Sequence, residues 1–314
     1  MEHAAKTAAA EVAANTDLFV ATSQLVNGNA KFVLFKGICQ DPLVPPTPTD
    51  GRASVGKDTD VHEYGQAVIG QLLNTKIANF PWQELYGDPF FHPGFPTPPA
   101  ARSSGVVAAI TSGKTLPYHL DLEGLRNEDH VPEYLFLGCV RGGNDAHLVT
   151  KLVDNVDILK FVPAHLQQVM REARFILPNK TRAFVWDDIP QPILTGTDED
   201  PTIIKMVDGP LAIKPAYRND AAAWRALYYL DAAVDKADRL GLAQRIHFEA
   251  GDLLVFKNKL VLHSRENALA PLYDGTDRIL YRSYWMSLNV PGNIIDGNEV
   301  RWTSTVRKVE SFSG

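Results

Sequence analysis

The sequence predicts a mainly β protein with flanking helices, built on a double-stranded β-helix (jelly roll) core. Two observations lead to this prediction. From Val106 onward the chain is a succession of short apolar segments separated by turns, which is typical of antiparallel sheets. The few helical segments do not alternate with the strands as a repeating strand–helix–strand unit would require. With 314 residues, 45% of them apolar, we expect one domain over residues 1–314.

The N-terminal segment, about residues 1–75, is predicted to be mostly helical. A helix over about residues 7–26 leads into a continuous apolar strand at 31–38, and a second helix covers about residues 62–73. The strand is predicted from the nearly continuous run of apolar residues in KFVLFKGI.

Two Pro-rich stretches, residues 40–60 and 86–105, are predicted to be long loops. Proline fixes φ and removes a backbone donor, so neither stretch suits a central strand or a helix. Loops of this length inside a compact domain are typically lids or binding loops. We therefore expect both to lie over a site.

The remaining elements are short strands and two helices. Strands are predicted at 106–111, 115–123, 133–142, 147–153, 182–187, 202–207, 246–264 and 277–289. One helix covers about residues 163–173, and the longest covers 219–240, with Asn219 as its polar cap. We expect this long helix and the N-terminal one to pack on the outside of the larger sheet.

Composition excludes several functional classes. The formal net charge is −6 and no cluster of Lys or Arg is present, so neither nucleic acid nor an anionic membrane surface is an expected partner. The N-terminus lacks the apolar core of a signal peptide, and no segment approaches the ~18 apolar residues of a membrane span. Cys39 and Cys139 have no zinc or disulfide spacing. We expect a cytoplasmic protein that acts on a small molecule, and no pattern indicates its oligomeric state.

One predicted strand carries a pattern typical of a metal site. In YHLDLE, strand alternation puts His119, Asp121 and Glu123 on one face and the two leucines on the other. Burying an imidazole and a carboxylate is costly unless a metal compensates. His-x-Asp supplies two corners of the two-histidine, one-carboxylate triad that binds non-haem Fe(II). The alternative is an exposed face with ordinary polar residues, and this pair alone does not decide between them.

The third ligand has to come from a distant segment. Residues 251–263 predict a turn and two short strands, the second of which ends at His263. After a YDGTD turn, Arg278 begins another strand, and Arg282 lies on the same face. A guanidinium inside a barrel needs an anion, and its planar fork matches a carboxylate. In the alternative interpretation, His263 is a hydrogen-bonded core histidine and Arg278 pairs with Asp274 or Asp277 of the turn.

Together these segments resemble a known family. The His-x-Asp pair, the PEYLFLGCVRG strand and the block GDLL…N…LVLHSR…PLYDGTDRILYR are similar to the clavaminate synthase-like branch of the Fe(II)- and 2-oxoglutarate-dependent oxygenases. That branch includes amino-acid hydroxylases of secondary metabolism. The resemblance extends loosely from about Ala78 to the C-terminus and is sharpest over Gly251–Tyr284. It implies a jelly roll, with Fe(II), 2-oxoglutarate and O₂, that hydroxylates an unactivated C–H bond of a free amino acid or a metabolite derived from one.

Carried onto this chain, the resemblance assigns individual residues. His119, Asp121 and His263 become the iron ligands and catalytic residues. Arg278 would bind the distal carboxylate of 2-oxoglutarate, and Thr150 would donate a hydrogen bond to it. The predicted substrate-binding residues are Gln83, Glu123, Lys214 and Arg282, of which Arg282 would hold the substrate's carboxylate.

Two departures from the family pattern leave alternatives open. The branch usually has Glu where this chain has Asp121, so Glu123 is an alternative ligand. Hydroxylases of cationic amino acids in the branch carry acidic residues before the long helix, whereas this chain has Lys214 and Arg218; we therefore expect a neutral or anionic substrate. The same residues would also serve desaturation or ring closure, or a small carboxylate or sulfonate that is not an amino acid. An inactive ligand-binding jelly roll is the non-enzyme alternative.

Overall fold

The computed structural model describes residues 2–13, 17–50, 56–79, 90–98, 115–121, 131–145, 147–177, 190–205, 213–266, 270–288, 294–295, 298–299 and 301–302. The helices of these residues are α1 Glu2–Ala13, α2 Asp17–Val26, α3 Val61–Leu72, α4 Asn155–Leu159, α5 Ala164–Arg171 and α6 Ala221–Arg239. The strands are β1 Phe32–Phe35, β2 Thr75–Asn79, β3 His92–Gly94, β4 Leu116–His119, β5 Tyr134–Arg141, β6 Val149–Asp154, β7 Phe175–Ile176, β8 Leu194–Gly196, β9 Pro201–Ile203, β10 Lys214–Pro215, β11 Gln244–Ile246, β12 Leu253–Lys257, β13 Val261–Glu266, β14 Ile279–Ser287, β15 Ile294–Ile295, β16 Asn298–Glu299 and β17 Arg301–Trp302.

The larger sheet has the strand order β1–β12–β5–β14–β2–β17, with β3 also paired to β14. Its central strands are apolar along their whole length because both faces of the sheet are covered; in β5 every residue except Arg141 is buried. Alternate residues of β5 enter different cores. Leu135 and Leu137 belong to the core that this sheet shares with the second sheet, whereas Tyr134 and Phe136 belong to the core under the N-terminal helices.

The smaller sheet has the order β11–β6–β13–β4. Its pairings are antiparallel, and buried residues such as Leu120 and Leu152 join the same core as Leu135. Two antiparallel sheets packed on a common core are the arrangement of a jelly roll. The predicted fold class is confirmed.

The N-terminal helices cover the outer face of the larger sheet, as predicted. The single helix expected over residues 7–26 is instead two helices, α1 and α2. Both contact α3, and Ala5, Leu25 and Ile69 share one buried cluster with the outward side chains of the sheet.

The longest helix, α6, lies elsewhere than predicted. It packs on α4 and α5, and Asp238 near its end accepts a hydrogen bond of 2.6 Å from Lys151 of β6, so it covers the smaller sheet rather than the larger one. Its cap is also one residue further on than predicted. Asp220, not Asn219, accepts the backbone N–H of Ala223 at 3.0 Å, which satisfies a first-turn donor.

The described parts of the two Pro-rich stretches differ in structure. Residues 40–50 and 56–60 contain neither helix nor strand, as predicted, and the carbonyl of Pro45 accepts a hydrogen bond of 2.8 Å from Arg141. In the second stretch, residues 92–94 form the edge strand β3, which pairs with β14, where a loop was expected. An edge strand tolerates proline because one row of its backbone groups needs no partner in the sheet.

Two predicted strands, 106–111 and 182–187, lie outside the described residues. Within the described part of the chain, no helix has the length and apolarity that crossing a bilayer requires.

Candidate metal centre

Two histidines from distant segments lie opposite each other on the smaller sheet. His119 is the last residue of β4 and is the direct cross-strand partner of His263 on β13. Directly opposed residues of an antiparallel pair point to the same face, and the two ring centroids are 4.1 Å apart. Strand β13 continues past His263 to Glu266, so the prediction that it ends at His263 was wrong.

Asp121 does not lie within a strand as predicted, because β4 ends at His119. The next backbone donor, Leu120 N–H, bonds instead to the carbonyl of Lys205 at 2.9 Å. Asn258, fully buried after β12, then holds Asp121 by both backbone groups: its Oδ1 accepts from the N–H at 3.3 Å and its Nδ2 donates to the carbonyl at 3.0 Å. This irregular backbone still directs the carboxylate toward the histidines.

The three side chains converge at one point. Asp121 Oδ1 is 3.3 Å from His119 Nε2 and 3.6 Å from His263 Nε2, and one ligand atom from each residue lies within 4.8 Å of the others. All three residues are at most 7% exposed. The alternative in which the His-x-Asp face is an ordinary exposed surface is therefore wrong.

The protonation of these groups suits a divalent metal. Burial alone would raise the pKa of Asp121, but the Arg282 guanidinium and the two histidines hold it well below its ordinary value, so the carboxylate is ionised. Burial, followed by the charge of His119, lowers the pKa of His263 to about 3, so its imidazole is neutral. His119 Nδ1 lies 2.8 Å from the Pro117 carbonyl; as the donor there, it leaves the Nε2 lone pair directed to the site. Two imidazole nitrogens and one carboxylate are the donor set that fits Fe(II).

The other oxygen of Asp121 contacts β14. Oδ2 accepts hydrogen bonds from Arg282 Nη1 at 2.9 Å and from the Tyr284 hydroxyl at 3.0 Å. Arg282 also reaches β3, where its Nη2 lies 3.2 Å from His92 Nδ1. Burial, and then the charge of Arg282, holds the pKa of His92 well below its ordinary value, so the neutral ring accepts this hydrogen bond.

Arg278 is buried and lacks a counter-ion in its own turn. Asp274 accepts from the backbone of Thr276, and Asp277 accepts from the backbone N–H groups of Leu272 and Tyr273. Pairing of Arg278 with either aspartate, the alternative left open by the sequence, is therefore not found. Its Nη1 has no hydrogen-bond partner among the described residues. Burial, and then the positive charge of Arg265, lowers the pKa of Arg278 to about 9; such a group favours a bound anion.

A cavity of about 170 Å³ lies in front of these residues. Its wall is formed by both sheets and includes both histidines, Arg278, Arg282 and Thr150. Thr150 on β6 is the cross-strand partner of Arg265 on β13, two residues after His263. The arrangement can hold a metal at one point of the cavity and a carboxylate at another.

Comparison with known proteins identifies relatives of defined activity. No protein-family model matches the chain. A curated L-lysine 3-hydroxylase of Catenulispora acidiphila is 27% identical over 267 residues, which are 82% of this chain and 67% of the relative. The crystal structure of asparagine oxygenase (AsnO) has a TM-score of 0.70 at 19% identity and covers 91% of this chain and 82% of its own. The non-heme iron oxygenase OrfP, in complex with Fe and alpha-ketoglutaric acid, has a TM-score of 0.68 at 21% identity, over 91% and 84% of the two chains.

The two structures show the same fold, and the curated relative extends the similarity to the sequence. The predicted resemblance to the clavaminate synthase-like oxygenases is confirmed by these relatives. The predicted enzyme class, an Fe(II)- and 2-oxoglutarate-dependent dioxygenase, is confirmed by these relatives, and so are Fe(II) and 2-oxoglutarate as its cofactors. O₂ is the expected co-substrate of such a dioxygenase.

The remaining predicted residues differ in where they lie. Thr150 is 3% exposed and faces the cavity. Gln83 and Glu123 lie outside the described residues. Lys214 is exposed on the short strand β10, paired with β7, and is not among the described residues that line the cavity.

Sequence reasoning missed the residues that support Asp121. Asn258 is the Asn of the GDLL…N segment, so its spacing from Gly251 was a usable signal. Tyr284 lies two positions after Arg282, so strand alternation places both side chains on one face, and the sequence shows this spacing directly. No local pattern indicates that β3 brings His92 to Arg282, because that contact depends on long-range pairing.

Proposed function

We propose that this chain hydroxylates an unactivated C–H bond of a free amino acid, with His119, Asp121 and His263 as the iron ligands. The observation that carries the proposal is the buried convergence of these three residues beside Arg278, a buried cation without a counter-ion in its turn. The curated relative is a lysine hydroxylase, and the solved relatives are an asparagine oxygenase and OrfP, whose structure with L-Arg is known. These relatives support an amino acid as the substrate class.

The three ligands would occupy one side of Fe(II) and leave adjacent positions open. When bound, Fe(II) and 2-oxoglutarate supply the O₂-dependent oxidation of the C–H bond, with 2-oxoglutarate converted to succinate and CO₂. The protein keeps the ligands deprotonated: Arg282 stabilises the Asp121 carboxylate, and burial keeps His263 neutral. The apolar wall that includes Leu137 and Leu280 would exclude water from the site.

Arg278 and Thr150 would bind the far carboxylate of 2-oxoglutarate. A carboxylate there would satisfy the unpartnered Nη1 of Arg278 and offset the repulsion from Arg265. Thr150 lies on the facing sheet and lines the same cavity, so its hydroxyl is available as a second donor.

The substrate's carboxylate would bind Arg282, which lines the cavity; Gln83 and Glu123 are further proposed contacts. The exposed position of Lys214 does not support a contact from that residue. Among the described residues, the cavity wall carries three arginines, at 265, 278 and 282, and two aspartates, at 145 and 277. The Asp277 carboxylate is already used by its own turn. Arg278 and Arg282 are each assigned to a carboxylate, and the additional positive charge of Arg265 in the wall favours a neutral or anionic side chain on the substrate.

The test is succinate release from protein reconstituted anaerobically with Fe(II), then exposed to O₂, 2-oxoglutarate and each proteinogenic amino acid. We expect at least one amino acid with a neutral or anionic side chain to raise succinate above the uncoupled background and to gain one oxygen atom by mass spectrometry. His263→Ala should abolish the signal, whereas the surface control His165→Ala should retain it. No stimulation by any amino acid would reject the substrate class; stimulation by lysine or arginine alone would reject the charge argument.

A further inference from the structure

The two oxygens of Asp121 have different environments. Oδ1 faces His119 Nε2 and His263 Nε2 at 3.3 and 3.6 Å. Oδ2 points the other way and accepts hydrogen bonds from Arg282 at 2.9 Å and from the Tyr284 hydroxyl at 3.0 Å. One oxygen is therefore directed to the metal position, and the other is held by two donors of β14.

We propose that Tyr284 is a positioning residue that, together with Arg282, holds Oδ2 away from the metal, so that Asp121 offers a single oxygen as ligand. This inference rests on the proposed function, because it concerns the same metal site. Carboxylates bind metals through one or both oxygens, and a second oxygen would occupy a position that 2-oxoglutarate, substrate or O₂ needs. The two donors thus keep the open side of the metal available.

The Tyr284 hydroxyl is fixed by packing. The residue is 1% exposed and its ring belongs to the core between the sheets. It lies two positions after Arg282 and therefore on the same face of β14. The Arg282 guanidinium lies 5.0 Å from the centroid of the Tyr284 ring, a distance at which cation and ring attract each other. The tyrosine supports both the carboxylate and the arginine that binds it.

Arg282 is held at its other end as well. Its Nη2 donates to the neutral His92 ring at 3.2 Å, and His92 is 1% exposed on β3. The planar guanidinium thus joins β3 to the turn that carries Asp121. In such an arrangement the orientation of Oδ2 is fixed by two strands, β14 and β3, rather than by the rotamer of Asp121 alone.

The test compares Tyr284→Phe with wild type and with the matched control Tyr281→Phe. Phenylalanine keeps the buried ring and removes only the hydroxyl. Tyr281 lies on the same strand and is also buried, but its ring lies in the other core, under Lys57 at 4.9 Å. Metal-free protein is titrated anaerobically with Fe(II) and, in parallel, with Co(II), whose visible absorption reports the number and arrangement of its ligands.

Loss of a residue that orients a metal ligand typically weakens metal binding by about 10- to 100-fold. We expect Tyr284→Phe to bind both metals at least about tenfold more weakly and to change the Co(II) spectrum, while Tyr281→Phe matches wild type. Thermal unfolding of the metal-free proteins checks that each variant is folded. If Tyr284→Phe fails to fold, Arg282→Gln removes the other donor to Oδ2 and is measured in the same way.

The outcomes separate this inference from the proposed function. If wild type binds Fe(II) tightly and Tyr284→Phe has the same affinity and Co(II) spectrum, the positioning role is wrong and the metal site stands. If wild type itself binds neither metal, the proposed function fails and the inference fails with it.

Discussion

Replacement of Arg278 by alanine should weaken the binding of 2-oxoglutarate without removing a metal ligand. Arg278 is 6% exposed, its Nη1 has no partner among the described residues, and burial lowers its pKa to about 9. A guanidinium in this state has lost its hydration and gains most from a carboxylate. Truncating one partner of a buried, hydrogen-bonded charge pair costs about 2–5 kcal/mol. At 1.4 kcal/mol per factor of ten, we expect 2-oxoglutarate to bind roughly 30-fold to a few thousand-fold more weakly to Arg278→Ala.

The assay measures succinate formation at increasing 2-oxoglutarate, together with anaerobic calorimetric titration of 2-oxoglutarate into Fe(II)-loaded protein. Arg245→Ala is the control, because Arg245 is half-exposed on β11 and pairs with Glu266. Arg278→Lys keeps the charge without the planar fork and should lie between wild type and alanine. Without 2-oxoglutarate, Arg278→Ala should be no less stable than wild type, since it no longer buries an uncompensated cation. An unchanged 2-oxoglutarate requirement in Arg278→Ala would refute the assigned anchor.

Three further predictions concern support of the site and stability. Asn258→Leu removes both hydrogen bonds to the Asp121 backbone. Because these buried backbone groups are then unpaired, the free energy of unfolding, measured by urea denaturation, should fall by about 2–4 kcal/mol. Metal titration of the same variant should show weaker Fe(II) binding. His263→Ala should lose most Fe(II) affinity, while its metal-free form still unfolds cooperatively. If this variant still bound one Fe(II) per chain as tightly as wild type, His263 would not be an iron ligand. Burial raises the pKa of Glu63, which is paired to Lys57, from 4.5 to about 7. The folded state holds this proton more tightly than the unfolded state. The free energy of unfolding of wild type relative to Glu63→Gln should therefore be greatest below pH 4.5 and fall by up to about 3 kcal/mol as the pH rises through 7. If the two proteins show the same dependence of stability on pH, the raised pKa of Glu63 is wrong.

Much of the fold was predictable because it depends on local patterns. The continuous apolar run of β5 and the strand pair around the GDLL segment are visible in the sequence and become central strands of the sheets. The side on which a helix packs is not local, because α6 has an apolar stripe that would suit either sheet. Its contacts with α4 and α5 decide its place, and α4, only five residues long, has too little periodicity to be recognised.

The convergence of the three proposed ligands was predictable, and the groups that support them were less so. His119 and Asp121 are close in sequence, and His263 and Arg278 lie in a distinctive block, so the family resemblance indicated which residues to bring together. The mechanism that orients Asp121 was not predictable, since strand alternation suggested an ordinary extended residue there. In the structure Asn258 takes both backbone groups of Asp121, and the strand ends at His119.

The most direct test of the central claim is anomalous diffraction at the iron absorption edge from crystals grown anaerobically with Fe(II). We expect one iron peak within bonding distance of Nε2 of His119, Nε2 of His263 and one oxygen of Asp121. An iron bound through Glu123 instead of Asp121, or no iron between the two histidines, would contradict the account.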